Sequence, residues 1–421
     1  MTQKLILIGA GMAGTRFLEH LLKLEQEASI DGRFPDAPAY EIEVFNQEPV
    51  GGYNRIMLSP VLAGEKTLSD IMTHDEAWFE RHGIHIHIGK QISSIDVKAK
   101  RLTTFCGETY FYDKLVIATG SKPFILPIPG GDLPGVVSFR DTRDVETMIS
   151  AAKTQQQAVV IGGGLLGLEA AYGLLKRGMK VTVVHRSNVL MNMQMDEEAG
   201  QLLKRKLEAG NDEIPAMRFK MGVNTVAIVG QDQVEAIRFD DGTQIPADLV
   251  VMSVGIRPNT QLGSDAGLDV NRGILVNDQL QTSNPNVYAL GECTEHRGET
   301  YGLVAPLYEQ AQVLAKVLMG FDSDYQGSLT STMLKVTGIN LFSAGDFKGS
   351  PEPSREGEKE IIVFRDRAQQ IYRKLVLQNN KLIGALLFGD VTDANWLFDK
   401  LKAQVDISNL RDTLIFGQGY E

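Results

Sequence analysis

LILIGAGMAG at residues 5–14 and AVVIGGGLLG at residues 158–167 decide the fold of this 421-residue chain. Each is a short apolar run, a glycine-rich turn and a helix-compatible stretch, the opening of a βαβ dinucleotide-binding unit. Gly9, Gly11 and Gly14 make one G-x-G-x-x-G turn, and Gly162, Gly164 and Gly167 repeat its offsets. In such a turn the first glycine permits the bend, the second lets backbone approach a pyrophosphate, and the third lets helix pack on strand. The phosphates would sit at the helix N-terminus, where unpaired N–H groups and the helix dipole favour negative charge. One such turn can exist without a nucleotide; two complete copies imply a duplicated nucleotide fold.

An acidic residue is expected at the end of the next strand, on the ribose hydroxyls. The first copy runs EIEVF into Asn46, Gln47 and Glu48, so Glu48 is the candidate. The second copy reads VTVVHRS and offers His185 and Arg186 instead. Loss of the acid with gain of an arginine suits a 2′-phosphate and leans toward NADPH, while a solvated surface arginine reads the same. Glu169, two residues past the last glycine, is expected near the helix start, facing what binds above the turn. Dipole compensation is the alternative. Ala118, Thr119 and Gly120, and later Gly291 and Glu292, follow apolar strands as sharp turns able to bring backbone near a ligand.

Composition excludes several classes. The net charge of −11 gives no general footing on phosphate backbones or anionic lipid, so neither nucleic acid nor a membrane is an expected partner. Cys106 and Cys293 are far apart and form no C-x-x-C, so no thiol-ligated iron–sulfur or zinc site and no redox disulfide is expected. Cys293 reads as a small packed residue. His74, His82, His85, His87 and His185 invite a metal reading, but no thiol or carboxylate spacing completes a ligand set, and no metal is expected. The chain enters a strand-like run at Lys4 with no basic region and cleavage site before it, and no apolar stretch reaches spanning length. A cytoplasmic protein is expected.

The fold class expected is α/β, with two Rossmann-like dinucleotide-binding domains and a C-terminal α+β domain. A polar insertion at Ser29 to Pro38 reads as a surface loop, and residues 84–118 as strands closing on a tight turn. Prolines 123, 127, 129 and 134 suit a crossover between domains. DLVVMSVG at 248–255, NVYALGEC and a helix-compatible Leu307 to Met319 are assigned back to the first domain. The expected boundaries are therefore 1–120 with 247–322 for the first domain, 121–246 for the second and 323–421 for the third. The third contains strand-like IIVFRD, KLVLQN and LIGALLFG before a helix-like Asp393 to Ala403.

YNRIMLSPVLAGEKTLSDI at 53–71 and LGECTEHRGETYGLVAPLYEQAQVLA at 290–315, with the two glycine turns, resemble the two-dinucleotide-binding-domain flavoproteins of the pyridine nucleotide-disulfide oxidoreductase type. Within them the chain is most similar to the FAD-containing N-terminal part of assimilatory NAD(P)H nitrite reductase large subunits, and to electron-transfer subunits of assimilatory nitrate reductase. The resemblance runs essentially end to end. It implies FAD in the first domain and NADH or NADPH in the second, with Glu292 on the ribityl chain, Asn54 and Arg55 close to the isoalloxazine and its phosphates, and Tyr301 to Pro306 capping the pyrimidine side. Glu169 and Arg55 become the catalytic candidates. Ferredoxin- and rubredoxin-reductase relatives carry a lysine soon after the arginine loop, where this chain has Ser59 and Pro60.

The implied chemistry is hydride transfer from nicotinamide to flavin and release of electrons to an external acceptor, an iron–sulfur protein or a nitrite or nitrate reductase component. With two cysteines the 421 residues are not expected to build a nitrite-reducing centre themselves. A stand-alone NAD(P)H reductase of ferredoxin or rubredoxin, and an NAD(P)H-sensing flavoprotein, are the alternatives. Acceptor docking or homodimer formation is expected at the C-terminal block.

Overall fold

Leu5 to Ile8 alternate their side chains between two faces, and both faces are apolar, so this run can only be stable inside a sheet covered on each side. That is its place in the computed structural model, which describes residues 2–31, 40–211, 216–334, 338–349 and 358–420. The chain divides into two compact units, one of Met1–Met57, Thr67–Lys122 and Ile256–Ser328, the other of Leu58–Lys66, Pro123–Gly255 and Leu329–Glu421.

In the first unit Gln3–Ile8 is the central strand of a five-stranded parallel sheet, in the order Val287–Ala289, Lys114–Ile117, Gln3–Ile8, Tyr40–Asn46, His85–Ile88. Leu5, Leu7, Val44 and Val116 face Phe17, Leu18 and Leu21 of the Met12–Asp31 helix and Leu307, Ala311 and Leu314 of the Val304–Leu318 helix. Ile6, Ile8, Phe45, Leu115 and Ile117 face the opposite way, onto Ile92, Ile95 and Leu102 of a three-stranded antiparallel sheet. Of the insertion at Ser29 to Pro38, the first three residues end the Met12–Asp31 helix and the rest lies outside the described residues.

The second unit repeats the plan. Its parallel sheet runs Val136–Ser138, Leu249–Met252, Gln157–Ile161, Lys180–His185, Arg218–Met221, and again a three-stranded antiparallel sheet intervenes before the strand that returns beside the central one. Sequence order alone returns Leu249–Met252 to the first domain, and the structure corrects this: the strand pairs with Ala158 to Ile161, and the first unit resumes at Ile256. All four of its residues are buried, so the run suits the middle of either parallel sheet and its composition carries no address.

Two more segments group differently from the expected boundaries. The short helix Leu58–Ala63 buries Leu58, Ser59, Val61, Leu62 and Ala63 within the second unit, where the Arg177 guanidinium donates to the carbonyls of Leu62 (2.7 Å) and Val61 (3.0 Å). The C-terminal block also groups there, as a five-stranded antiparallel sheet in the order Ser331–Leu334, Leu341–Gly345, Lys381–Phe388, Ile371–Gln378, Lys359–Asp366. The Ala394–Ala403 helix packs on it over Leu375, Leu387, Leu397 and Leu401, giving the α+β block its own core. No described helix is long and apolar enough to cross a membrane.

Phe17 is fully buried between helix and sheet. Phe17→Ala is expected to destabilise the first unit by about 3–5 kcal/mol, read as a lower urea midpoint; an unchanged midpoint would mean that this face is not the core.

Candidate functional site

Four of the loops singled out in the first unit leave the carboxyl end of a parallel strand: Gly9 after Gln3–Ile8, Glu48 after Tyr40–Asn46, Ala118 after Lys114–Ile117, Gly291 after Val287–Ala289. Parallel pairing puts these ends along one edge of the sheet, the place where open α/β sheets bind ligands. Gly9 has φ +111 and its N–H donates to the Phe45 carbonyl (2.8 Å); a Cβ there would collide with the Ala118 carbonyl oxygen. A Cβ on Gly14 would collide with the carbonyl of Gly9 itself, so helix and turn touch backbone to backbone. Gly11 opens on free space, as a backbone that must admit a ligand requires.

The neighbouring groups are fastened to this edge. Glu48 accepts from the Tyr53 hydroxyl (2.7 Å) and from Arg55 (2.5 Å), whose guanidinium lies 5.0 Å from the Tyr53 ring centre. Burial works against the Arg55 charge, but Tyr53, Glu48 and Glu292 outweigh it and keep the guanidinium firmly protonated. Glu292 accepts from the Ser121 hydroxyl (2.8 Å), beside the turn of Ala118, Thr119 and Gly120. Asn54 anchors its loop through Ile71 and, with Tyr53, Met12, Thr15 and Tyr308, lines a cavity of about 110 Å³. Pro306 sits in the first turn of the Val304–Leu318 helix, where its missing N–H costs nothing.

Two members of this site carry no motif and are found only in three dimensions. Asn259 closes the Ala118–Gly120 turn by donating to the Thr119 carbonyl (2.7 Å). Gln310, wholly buried, accepts from the Gly291 N–H (2.7 Å), while its Nε2 is buried without a partner among the described residues. Glycine clearance, the start of the Met12–Asp31 helix and this spare amide donor suit the phosphates and polar edge of FAD, so the residues present fit that cofactor.

The second unit holds the same construction. Gly162 has φ +122, and a Cβ there would collide with the Ser253 carbonyl; a Cβ on Gly167 would collide with that of Gly162; Gly164 opens on free space. The His185 Nδ1 accepts from the Gly163 N–H (3.1 Å), which puts the proton of the neutral ring on Nε2, a buried atom with no partner among the described residues. Burial holds the imidazole pKa below its ordinary value. Arg186, next along, is exposed.

Glu169 departs from its expected place. It is the fifth residue of the Leu165–Lys176 helix rather than a first-turn acid, so it does not compensate the dipole. It is buried, and the Ser59 hydroxyl donates to it at 2.6 Å. Burial pushes its carboxyl up to about 7, against the Ser59 hydrogen bond, which works the other way. Among the described residues no group of three or more His, Cys, Asp or Glu side chains could hold a metal; His87 pairs with Glu43 (3.1 Å), and Cys293 is buried with its thiol pKa raised.

Residues 3–313 match the family described as pyridine nucleotide-disulphide oxidoreductase, and residues 331–405 match the rubredoxin NAD+ reductase C-terminal domain. The chain belongs to the pyridine nucleotide-disulphide oxidoreductase family. It is 48% identical over 407 residues to "Nitrite reductase [NAD(P)H]" of Bacillus subtilis (strain 168), covering 96% of this chain and 48% of that one. It is 43% identical to the "Assimilatory nitrate reductase electron transfer subunit" of the same organism, covering 98% of this chain and 51% of that one. The chain therefore spans about half the length of these relatives. Among solved structures it resembles NADH:rubredoxin oxidoreductase from Clostridium acetobutylicum, with TM-score 0.79, 25% identity and 99% of both chains covered.

The raised Glu169 pKa fixes a sign. An unfolded carboxyl loses its proton near 4.5 and the folded one near 7, so this group's stability penalty grows between those values and is constant above them. Glu169→Gln removes the penalty. The variant is expected to match the parent in denaturant unfolding at pH 4 and to exceed it by up to about 3 kcal/mol at pH 8. A constant difference across that range would show that Glu169 titrates normally.

Proposed function

We propose that this chain draws electrons from NAD(P)H bound in the second unit and delivers them to a redox partner outside the 421 residues, as the electron-input module of assimilatory nitrite or nitrate reduction. The observation that carries this reading is the duplicated turn, in which both copies need glycine against a strand-end carbonyl and both leave the second glycine open. The kinship with the two Bacillus proteins supports the nitrogen-assimilating role.

On this reading Gly9, Gly11, Gly14, Glu48, Ala118, Thr119, Gly120, Gly291, Glu292 and Pro306 hold FAD, with Asn54 and Arg55 securing its flavin end. FAD when bound supplies the means to accept a hydride and pass electrons onward. Gly162, Gly164 and Gly167 receive the pyrophosphate of NAD(P)H; the His185 Nε2–H and the Arg186 guanidinium meet the adenosine ribose, and Arg186 favours a 2′-phosphate. Glu169 positions the nicotinamide end, so that much of the catalytic gain comes from orientation. Arg55, kept cationic by Glu48 and Glu292, stabilises negative charge that develops on reduction. The first unit is then the FAD-binding domain, residues 123–255 the NAD(P)-binding domain, and residues 329–421 the acceptor-docking domain of a cytoplasmic protein.

A second reading, a stand-alone reductase of rubredoxin or ferredoxin, is favoured by the C-terminal match at 331–405. Turnover with each acceptor separates the two: faster reoxidation by a nitrite- or nitrate-reducing component supports the first, and by a rubredoxin the second. Glu169→Gln is expected to keep the full FAD content and slow single-turnover flavin reduction by about 10- to 100-fold. An unchanged reduction rate would remove Glu169 from the mechanism.

A further inference from the structure

Residues 186–196 link the end of the Lys180–His185 strand to the Glu197–Ala209 helix, and this link is held at its middle and at its far end. At its middle it folds back on the glycine turn: Met191, at φ +48, donates its N–H to the Gly163 carbonyl (2.8 Å), and Leu190, Met191 and Met195 are buried. At the far end Asp196 caps the helix through one carboxylate oxygen, accepting from Ala199 N–H at 3.0 Å. Its other oxygen is gripped by the C-terminal sheet, accepting from the Tyr372 hydroxyl (2.7 Å) and the Lys374 ammonium (3.1 Å). Lys374 also donates to the Lys348 carbonyl (3.0 Å), and the Lys348 ammonium donates to the Asn192 carbonyl (2.7 Å), so a second tether reaches the middle of the link.

Tyr372 and Lys374 are only 2% and 8% exposed. A lysine this buried persists because its charge is paired and hydrogen-bonded, which makes the grip directional as well as strong. The nearby Arg365–Glu198 pair is exposed on both sides and adds little. Tyr372, Lys374 and Lys348 thus fasten the C-terminal sheet to the link that leads from His185 and Arg186 back to Gly163.

We propose that Tyr372 and Lys374 are positioning residues for NAD(P)H, acting through Asp196 and the 186–196 link, so that the C-terminal sheet forms part of the nucleotide site without touching the nucleotide. The inference rests on the assignment of NAD(P)H to the second glycine turn. It makes the sheet a route by which an acceptor bound there shifts nucleotide affinity, since coupling between two sites is reciprocal.

The test is stopped-flow reduction of the FAD-loaded full chain over a range of NADPH and NADH concentrations, which separates Kd from the limiting rate. Lys374→Met is expected to raise Kd for the preferred nucleotide about tenfold with the limiting rate within about twofold, and Lys374→Arg to restore most of the affinity. Tyr372→Phe removes a single hydroxyl and carries the same test should Lys374→Met not fold. Gly164→Leu serves as the control, because a Cβ at this position meets no atom within 4 Å and the side chain would extend into the space proposed for the pyrophosphate. If Gly164→Leu no longer binds nucleotide while both C-terminal variants keep the parent Kd, the positioning role is overturned and the site stands. A fall in limiting rate at constant Kd also overturns it. If Gly164→Leu binds as the parent does, the site assignment itself fails, and the positioning role with it.

Discussion

Backbone pressed against backbone is the constraint on which both glycine turns depend. The third glycine of each turn lies against the carbonyl of the first, and the first lies against a carbonyl at the end of the neighbouring strand. No side chain of any size fits at either point. This contact sets the entry angle of the helix, and with it the direction of the free N–H groups at its start. The apolar faces of the helix then pack where that angle sends them, over Leu5 and Leu7 in the first unit.

The polar groups around each cradle divide by environment. In the first unit Arg55 is paired with Glu48, and Glu292, which also favours the Arg55 charge, accepts from the Ser121 hydroxyl. In the second the group placed deepest, Glu169, has one hydroxyl for company, and burial raises its pKa into the neutral range. The first unit thus keeps a fixed cation at Arg55, and the second a carboxyl at Glu169 able to hold or release a proton near neutrality.

Much of this was legible in the chain. The glycine offsets and the apolar runs before them specify two parallel sheets, because glycine is required where a Cβ would strike a carbonyl and apolar runs where both faces are covered. Leu249–Met252 was not assignable from its own residues. It could be placed only by seeing that Ser253 to Gly255 stand to Gly162 as Ala118 to Gly120 stand to Gly9, an equivalence of position rather than of sequence. Leu58–Ala63, Asn259 and Gln310 were hidden for a different reason. Their roles come from partners far along the chain, Arg177, Thr119 and Gly291, and no local pattern encodes such a partner. Glu169 lay between these cases: that it belongs to the helix follows from spacing, its place beyond the first turn and its burial against Ser59 do not.

The central claim, that the two cradles bind different dinucleotides and exchange a hydride, is tested most directly by anaerobic stopped-flow reduction of the protein's own flavin with NADH and NADPH in parallel. The account predicts FAD in the purified protein and its rapid bleaching by at least one of the two, with NADPH the faster if Arg186 meets a 2′-phosphate. A protein that holds no flavin, or whose flavin neither nucleotide reduces, would contradict it.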